Sequence, residues 1–160
     1  MLKINIIAIG KLKEQYLRDA SSEYLKRLSA FCKMTVTELE PERLPDNPNP
    51  SQIDTCLNNE AAKIISAIPN GAYIIPMCIE GKHIDSVELS VKLQDVALSG
   101  DSTVCFIIGG SYGLSDKVKQ KANFKLSMSK MTFPHQLARI MLLEQIYRAF
   151  KISQGGTYHK

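Results

Sequence analysis

Two short runs, Ile4–Ile9 and Thr103–Ile108, are apolar almost without interruption, with Asn5 the one break in the first. A strand with one face in water alternates apolar and polar residues, so runs like these belong to strands buried on both faces, as in a parallel sheet. Between them the period changes. Leu17, Ala20, Tyr24, Leu25 and Leu28 recur at helical spacing and predict an amphipathic helix over roughly 13–30. Lys33–Leu39 alternates as a strand, and the prolines of residues 42–51 make that stretch a loop. Ile53, Leu57, Ala61, Ile64, Ile65 and Ile68 mark a second helix, closed by Pro69-Asn70-Gly71.

The rhythm then repeats. Ala72–Ile75 reads as a strand with Pro76 at its carboxyl end, where no ladder donor is needed. A helix follows over 84–98, capped by Asp85 or Ser86. After Thr103–Ile108 come Gly109, Gly110 and Gly113, a short helix, and a fifth strand near Asn123–Leu126. Pro134 starts a long final helix to about Ile152. Strands alternating with helices predict an α/β layer fold, a mainly parallel sheet flanked by helices on both faces. In the final helix Ile140, Met141, Leu142 and Leu143 stand in a row, which one apolar stripe does not explain. That helix is expected to be buried on more than one side, inside the domain or against another subunit.

The 160 residues fit one domain, with no linker or repeat asking for a second. No apolar run is long enough to cross a membrane, and the first residues lack the pattern of a signal peptide. Cys32, Cys56, Cys78 and Cys105 are widely spaced in apolar surroundings, which fits buried thiols in a reducing cytoplasm and no metal site. Charge is unevenly spread. Residues 111–160 carry nine Lys or Arg against Asp116 and Glu144, a net +7, whereas residues 1–110 carry −3. The positive end points toward an anionic partner, nucleic acid being the simplest.

Ligands of open parallel sheets bind beyond the carboxyl ends of the strands. Three segments converge there: 77–82, 109–113 and 127–133. They offer glycines for close backbone approach, hydroxyls, and methionine and aromatic surface suited to a flat base. The run Gly109-Gly110-Ser111-Tyr112-Gly113 lacks the GxGxxG spacing and no GK[ST] follows, so this is not a phosphate-cradling nucleotide site. His135 lies beside the third segment and serves either a substrate or a local hydrogen bond. The helix amino end is expected to lower its pKa. Arg139 follows at i+4, and either a structural carboxylate or a bound anion accounts for it. His83 can reach the same end. In the terminal Gly155–Lys160, Tyr158 can stack while His159 and Lys160 can meet phosphate or a base edge.

The ordered set IIAIGKLKEQY (6–16), IEGK (79–82), FIIGGSYG (106–113), LSMSKMTFPHQLAR (126–139), EQIYRAF (144–150) and YHK (158–160) resembles the SPOUT-class, or α/β-knot, methyltransferases. Within them it is similar to the RlmH, or YbeA-like, family of small ribosomal RNA methyltransferases, over essentially the whole chain. The resemblance implies a single SPOUT domain over 1–160, with a carboxyl-terminal trefoil knot in roughly 72–160. It implies a homodimer that transfers a methyl group from S-adenosylmethionine to N3 of a pseudouridine in 23S ribosomal RNA, in the assembled ribosome. Carried onto this sequence, cofactor contacts fall on Met77, Gly109, Met128, Ser129, Lys130, Met131, Thr132 and Phe133. Catalytic and substrate duties fall on His135, Arg139, Tyr158 and His159, with either histidine as acceptor of the N3 proton. The competing reading is a non-catalytic rRNA-binding or ribosome-assembly protein.

Overall fold

The computed structural model describes residues 1–160. In chain order its elements are β1 (Lys3–Ile9), α1 (Gln15–Leu28), β2 (Lys33–Leu39), α2 (Pro50–Ala67), β3 (Tyr73–His83) and α3 (Ser86–Leu98). They continue with β4 (Thr103–Ile108), α4 (Asp116–Lys119), β5 (Leu126–Ser127) and α5 (His135–Ser153). All pairings between these strands are parallel, and the strand order is β2-β1-β4-β3-β5. β1 and β4 are neighbours in the middle of this sheet, as their continuous apolar runs require.

Because successive side chains on a strand point to opposite faces, each central strand feeds two cores. Ile4, Ile6 and Ala8 join Val104, Phe106 and Ile108 beneath Leu28 of α1, Leu89 and Leu93 of α3, and Leu142, Leu143 and Ile146 of α5. Ile7, Ile9, Cys105 and Ile107 face the other way, against Ala61 and Ile64 of α2 and Val118 of α4. The helices therefore lie on both faces, as expected. On α5, Leu142 and Leu143 are fully buried, while Ile140 and Met141 stay half-buried on its outer side. Ser90 Oγ donates to the Ala149 carbonyl (2.8 Å) and ties α3 to α5.

The helix starts follow from their caps. Asn49 accepts from the Gln52 amide while the Gln52 side chain accepts from Asn49, so α2 begins at Pro50, inside the stretch read from sequence as loop. Asp85 and Glu88 make the same reciprocal pair for α3. β3 departs most from expectation: it is an eleven-residue strand with Pro76 inside it, not at its end. Its first four residues pair with β4, and Met77, Lys82 and His83 pair with β5 across an irregularity, so Pro76 sits at the change of partner, where a missing N–H is tolerated. β5 is only two residues long, and Asn123 and Phe124 before it donate their amides to the Ile74 carbonyl. No helix is long and apolar enough to cross a membrane.

Phe106 is the largest fully buried side chain. Phe106→Ala is expected to lower unfolding free energy by about 3–5 kcal/mol, measured by urea titration with an unchanged m-value.

Candidate active site

The last rung between β3 and β4 joins Pro76 to Ile107. From Met77 onward β3 turns to β5, and a cleft opens between Met77 and the end of β4 at Ile108 and Gly109. Its inner part is a cavity of about 140 Å³. It shares Met77, Cys78, Gly110, Thr132, Phe133 and His135 with a wider crevice of about 800 Å³ that reaches Glu80, Tyr112 and Lys119.

Of the residues expected to hold a cofactor, Met77, Gly109, Met128, Ser129, Met131, Thr132 and Phe133 all line the inner cavity. Lys130 is exposed and lines neither space. The 127–133 segment is shaped by its own hydroxyls. Ser127 Oγ donates to the Ser129 carbonyl (3.1 Å), and the Met131 amide donates to Ser129 Oγ (3.0 Å). The single Ser127 proton is thereby used, so its oxygen accepts from His83 Nε2 at 3.1 Å. His83 therefore braces the segment from β3. Two glycines are required by close backbone approach. A Cβ on Gly109 would lie 2.6 Å from the Gly113 carbonyl carbon, and one on Gly81 would lie 2.7 Å from that of Leu126.

His135 opens α5 and is half-buried at the junction of the inner cavity with a third space of about 490 Å³ that contains Lys11, Lys13 and Glu60. Its pKa is lowered, as expected, but the leading cause is burial, followed by the positive charges of Arg139 and Lys13. The ring is thus held neutral beside the cavity. Arg139 is 3% exposed; its Nη1 donates to Glu38 Oε2 (2.6 Å) and its Nη2 to the Gly10 carbonyl (2.9 Å). Its nearest anion is a carboxylate of the fold. The contact fastens the first turns of α5 to the ends of β1 and β2, and the Lys13 amide adds a bond to the Gln136 side chain (2.8 Å).

Tyr158 and His159 are elsewhere. The tail folds back onto α5, where the Tyr158 hydroxyl donates to Glu144 (3.0 Å) and Arg148 meets His159 Nδ1 (3.2 Å). Glu144 is nine residues beyond His135, about 13 Å of helical rise. Within one chain, then, the fold sets His135 on the cavity wall, keeps Arg139 buried behind it off that wall, and leaves Tyr158 and His159 apart from it.

The model for the family described as predicted SPOUT methyltransferases matches residues 2–159. The chain belongs to the SPOUT methyltransferase family. It is 48% identical over 159 residues to the ribosomal RNA large subunit methyltransferase H of Clostridium acetobutylicum, with 99% of this chain and 100% of the relative covered. Its identity to the protein of that name from Clostridium botulinum strain Alaska E43 is 50%, and to that from Leuconostoc mesenteroides 48%, both over 159 residues with the same coverage. Among solved structures, a methylase-family protein of Haemophilus influenzae superposes with a TM-score of 0.54 at 12% identity, covering 98% of this chain and 70% of that one. This last likeness concerns the fold alone.

The cofactor of SPOUT methyltransferases is S-adenosylmethionine, and the cavity suits it. Met77, Ile79, Met128, Met131 and Phe133 offer apolar walls for an adenine, while Gly109 and Gly110 bring backbone edges to the wall without side chains in the way. Ser127 and Ala138 also line the cavity. Ser127 opens the 127–133 segment singled out from sequence, though not its expected cofactor contacts, whereas Ala138 carries no signal because an alanine on a helix is uninformative. Glu38 was likewise invisible as the partner of Arg139, being 101 positions away.

Arg139→Ala removes two bonds and leaves Glu38 and the Gly10 carbonyl without their donor. We expect a loss of about 2–3 kcal/mol of stability, read by chemical denaturation. For His135 the folded pKa lies below the ordinary 6.5, so the unfolded chain takes up the proton first as pH falls. The stability this contributes is complete above that ordinary value and is lost as pH falls through the lowered one. An NMR titration should place the His135 midpoint below 6.5, and His135→Gln should flatten that part of the stability curve.

Proposed function

We propose that this chain methylates N3 of a pseudouridine in 23S ribosomal RNA, in the assembled ribosome, with S-adenosylmethionine as donor. The observation that carries the reading is the cleft between Met77 and Gly109, walled by 127–133 and bordered by a neutral His135. Its support from relatives is the activity for which they are named, ribosomal RNA large subunit methyltransferase, at 48–50% identity over nearly the full length of this chain. A carboxyl-terminal half rich in Lys and Arg supplies charge complementary to RNA. Such a substrate places the protein in the cytoplasm.

When bound, the cofactor supplies an already activated methyl group on its sulfonium. The residues of the chain do the rest. Met77, Gly109, Met128, Ser129, Met131, Thr132 and Phe133 would hold and orient it, with the apolar walls excluding water. His135, neutral at the cavity edge, accepts the proton that leaves N3 as the new bond forms. Arg139, engaged by Glu38 and Gly10, serves by fixing the start of α5 and by opposing protonation of His135.

The working form is a homodimer, and the knot spans roughly residues 72–160 of a single 1–160 domain. The half-buried Ile140 and Met141 form, with Tyr24, Ile84, Leu89 and Met128, an apolar groove of about 510 Å³ along α5 that suits a second copy. Because Tyr158 and His159 rest far from the His135 of their own chain, each tail serves the site of the partner. A mixed dimer pairing a cofactor-dead subunit with a tail-deleted subunit should retain one working site; if it is inert, the shared-site assignment fails.

Calorimetry and mass mapping test the whole reading. S-adenosylmethionine should bind saturably, and Gly109→Ala should weaken it on the order of tenfold or more, equivalent to about 1.4 kcal/mol. Ribosomes from cells lacking the protein should gain one methylated pseudouridine when it is added back. Ribosome binding without cofactor binding or methylation would favour the non-catalytic alternative.

A further inference from the structure

The Glu144 carboxylate gathers more of the tail than a surface ion pair would. Its side chain is 19% exposed. Oε1 accepts from Arg148 Nε (2.9 Å) and Nη2 (2.7 Å), and the Tyr158 hydroxyl sits across both oxygens, nearer Oε2 (3.0 Å) than Oε1 (3.3 Å). Arg148 lies over the Tyr158 ring, 4.7 Å from its centre, and Tyr147 meets the same ring edge-on at 5.1 Å. The segment after Gly156 is pinned at Tyr158 by the carboxylate itself and at His159 by the arginine that the carboxylate holds.

The pinning has a chemical consequence at the next residue. Arg148 Nη1 stands 3.2 Å from His159 Nδ1. A guanidinium has only donors, so Nδ1 must be the acceptor. In this contact the ring proton therefore lies on Nε2. In this arrangement neither nitrogen is free to take a proton: Nδ1 is occupied by Arg148 and Nε2 already carries one.

We propose that Glu144 is a positioning residue which, through Arg148, fixes His159 as the Nε2–H tautomer, so that His159 meets the substrate as a hydrogen-bond donor to an acceptor oxygen. The proton leaving the methylated nitrogen then goes to His135, not to His159. This rests on the reading that the tail serves the RNA substrate. The order of events is Glu144 orienting Arg148, Arg148 orienting the imidazole, and the imidazole N–H aligning the base.

The test uses the full-length protein. Long-range 15N–1H correlation of the His159 ring should show Nε2 protonated and Nδ1 bare in the wild type, and averaging of the two forms in Glu144→Gln. A protonated Nδ1 in the wild type, or an unchanged pattern in Glu144→Gln, overturns the proposal. Kinetics on ribosomes supply a second arm that does not depend on Glu144 variants folding. His159→Ala should lower kcat on the order of 100-fold. His159→Gln, whose amide donates but takes no proton near neutral pH, should recover most of that loss. If His159→Gln is as slow as His159→Ala while binding ribosomes normally, His159 is a base and the assignment is wrong. The NMR arm needs neither RNA nor cofactor, so it can fail while the wild type methylates. A wild type that methylates nothing would instead sink the parent reading with the tautomer intact.

Discussion

The parting of β3 from β4 after Pro76 is the constraint on which the site depends. Up to that residue the sheet is an ordinary parallel ladder; beyond it, β3 continues for seven residues without β4 beside it. The gap left between Met77 and Gly109 cannot be closed by another strand, because β4 ends at Ile108 and turns through Gly110–Gly113. What closes it is the 127–133 segment, brought in by the short pairing of β5 with the far end of β3. Each glycine in the arrangement has a mechanical reason. Gly81 admits the Leu126 backbone and Gly109 admits that of Gly113. The cavity is a consequence of register, and its walls are backbone where a side chain would fill it.

α5 then carries the chemistry to two places. Its first turn bears His135 and is anchored by Arg139 to Glu38 and Gly10; its third bears Glu144, which fastens the tail. Both anchors are carboxylate–arginine contacts, but they differ in surroundings. The side chain of Arg139 is 4% exposed and stabilises the fold, whereas Arg148 at 25% is open enough to be shared with a partner molecule. One helix thus has a fixed end and a serviceable end.

Much of this was legible in the sequence, and the limits have physical causes. The sequence pattern gives β2 and β4 at their observed bounds and β1 within one residue, because burial on one or both faces writes its period into the residues. The length of β3 was not read, since Glu80-Gly81-Lys82-His83 has neither β propensity nor alternation; its strand character comes from pairing with two residues more than forty positions away. The Glu144–Arg148 pair was visible as an i,i+4 spacing, but nothing in spacing places Tyr158 on the same carboxylate. For Arg139, sequence left two partners open, and only the fold brings Glu38 to it. The methyl donor and the knot were never in the periodicity at all; they came with the family resemblance, because a chain threading through itself leaves no local pattern.

The register of β1 has one further implication, for how this chain comes into being. Lys3 lies against Thr103 and Ala8 against Ile108. A chain made from its amino end therefore holds β1 and β2 without the second neighbour of β1 until β4 has emerged at Ile108, well after β2 ends at Leu39. Two parallel strands with one bare edge are marginal and prone to pairing with other chains. The centre of the sheet is thus completed only with β4, and the cavity later still, since β5 and α5 follow it. For this protein, acquiring a core and acquiring a site are nearly one event, because the strand that completes the sheet is followed directly by the segments that wall the cavity.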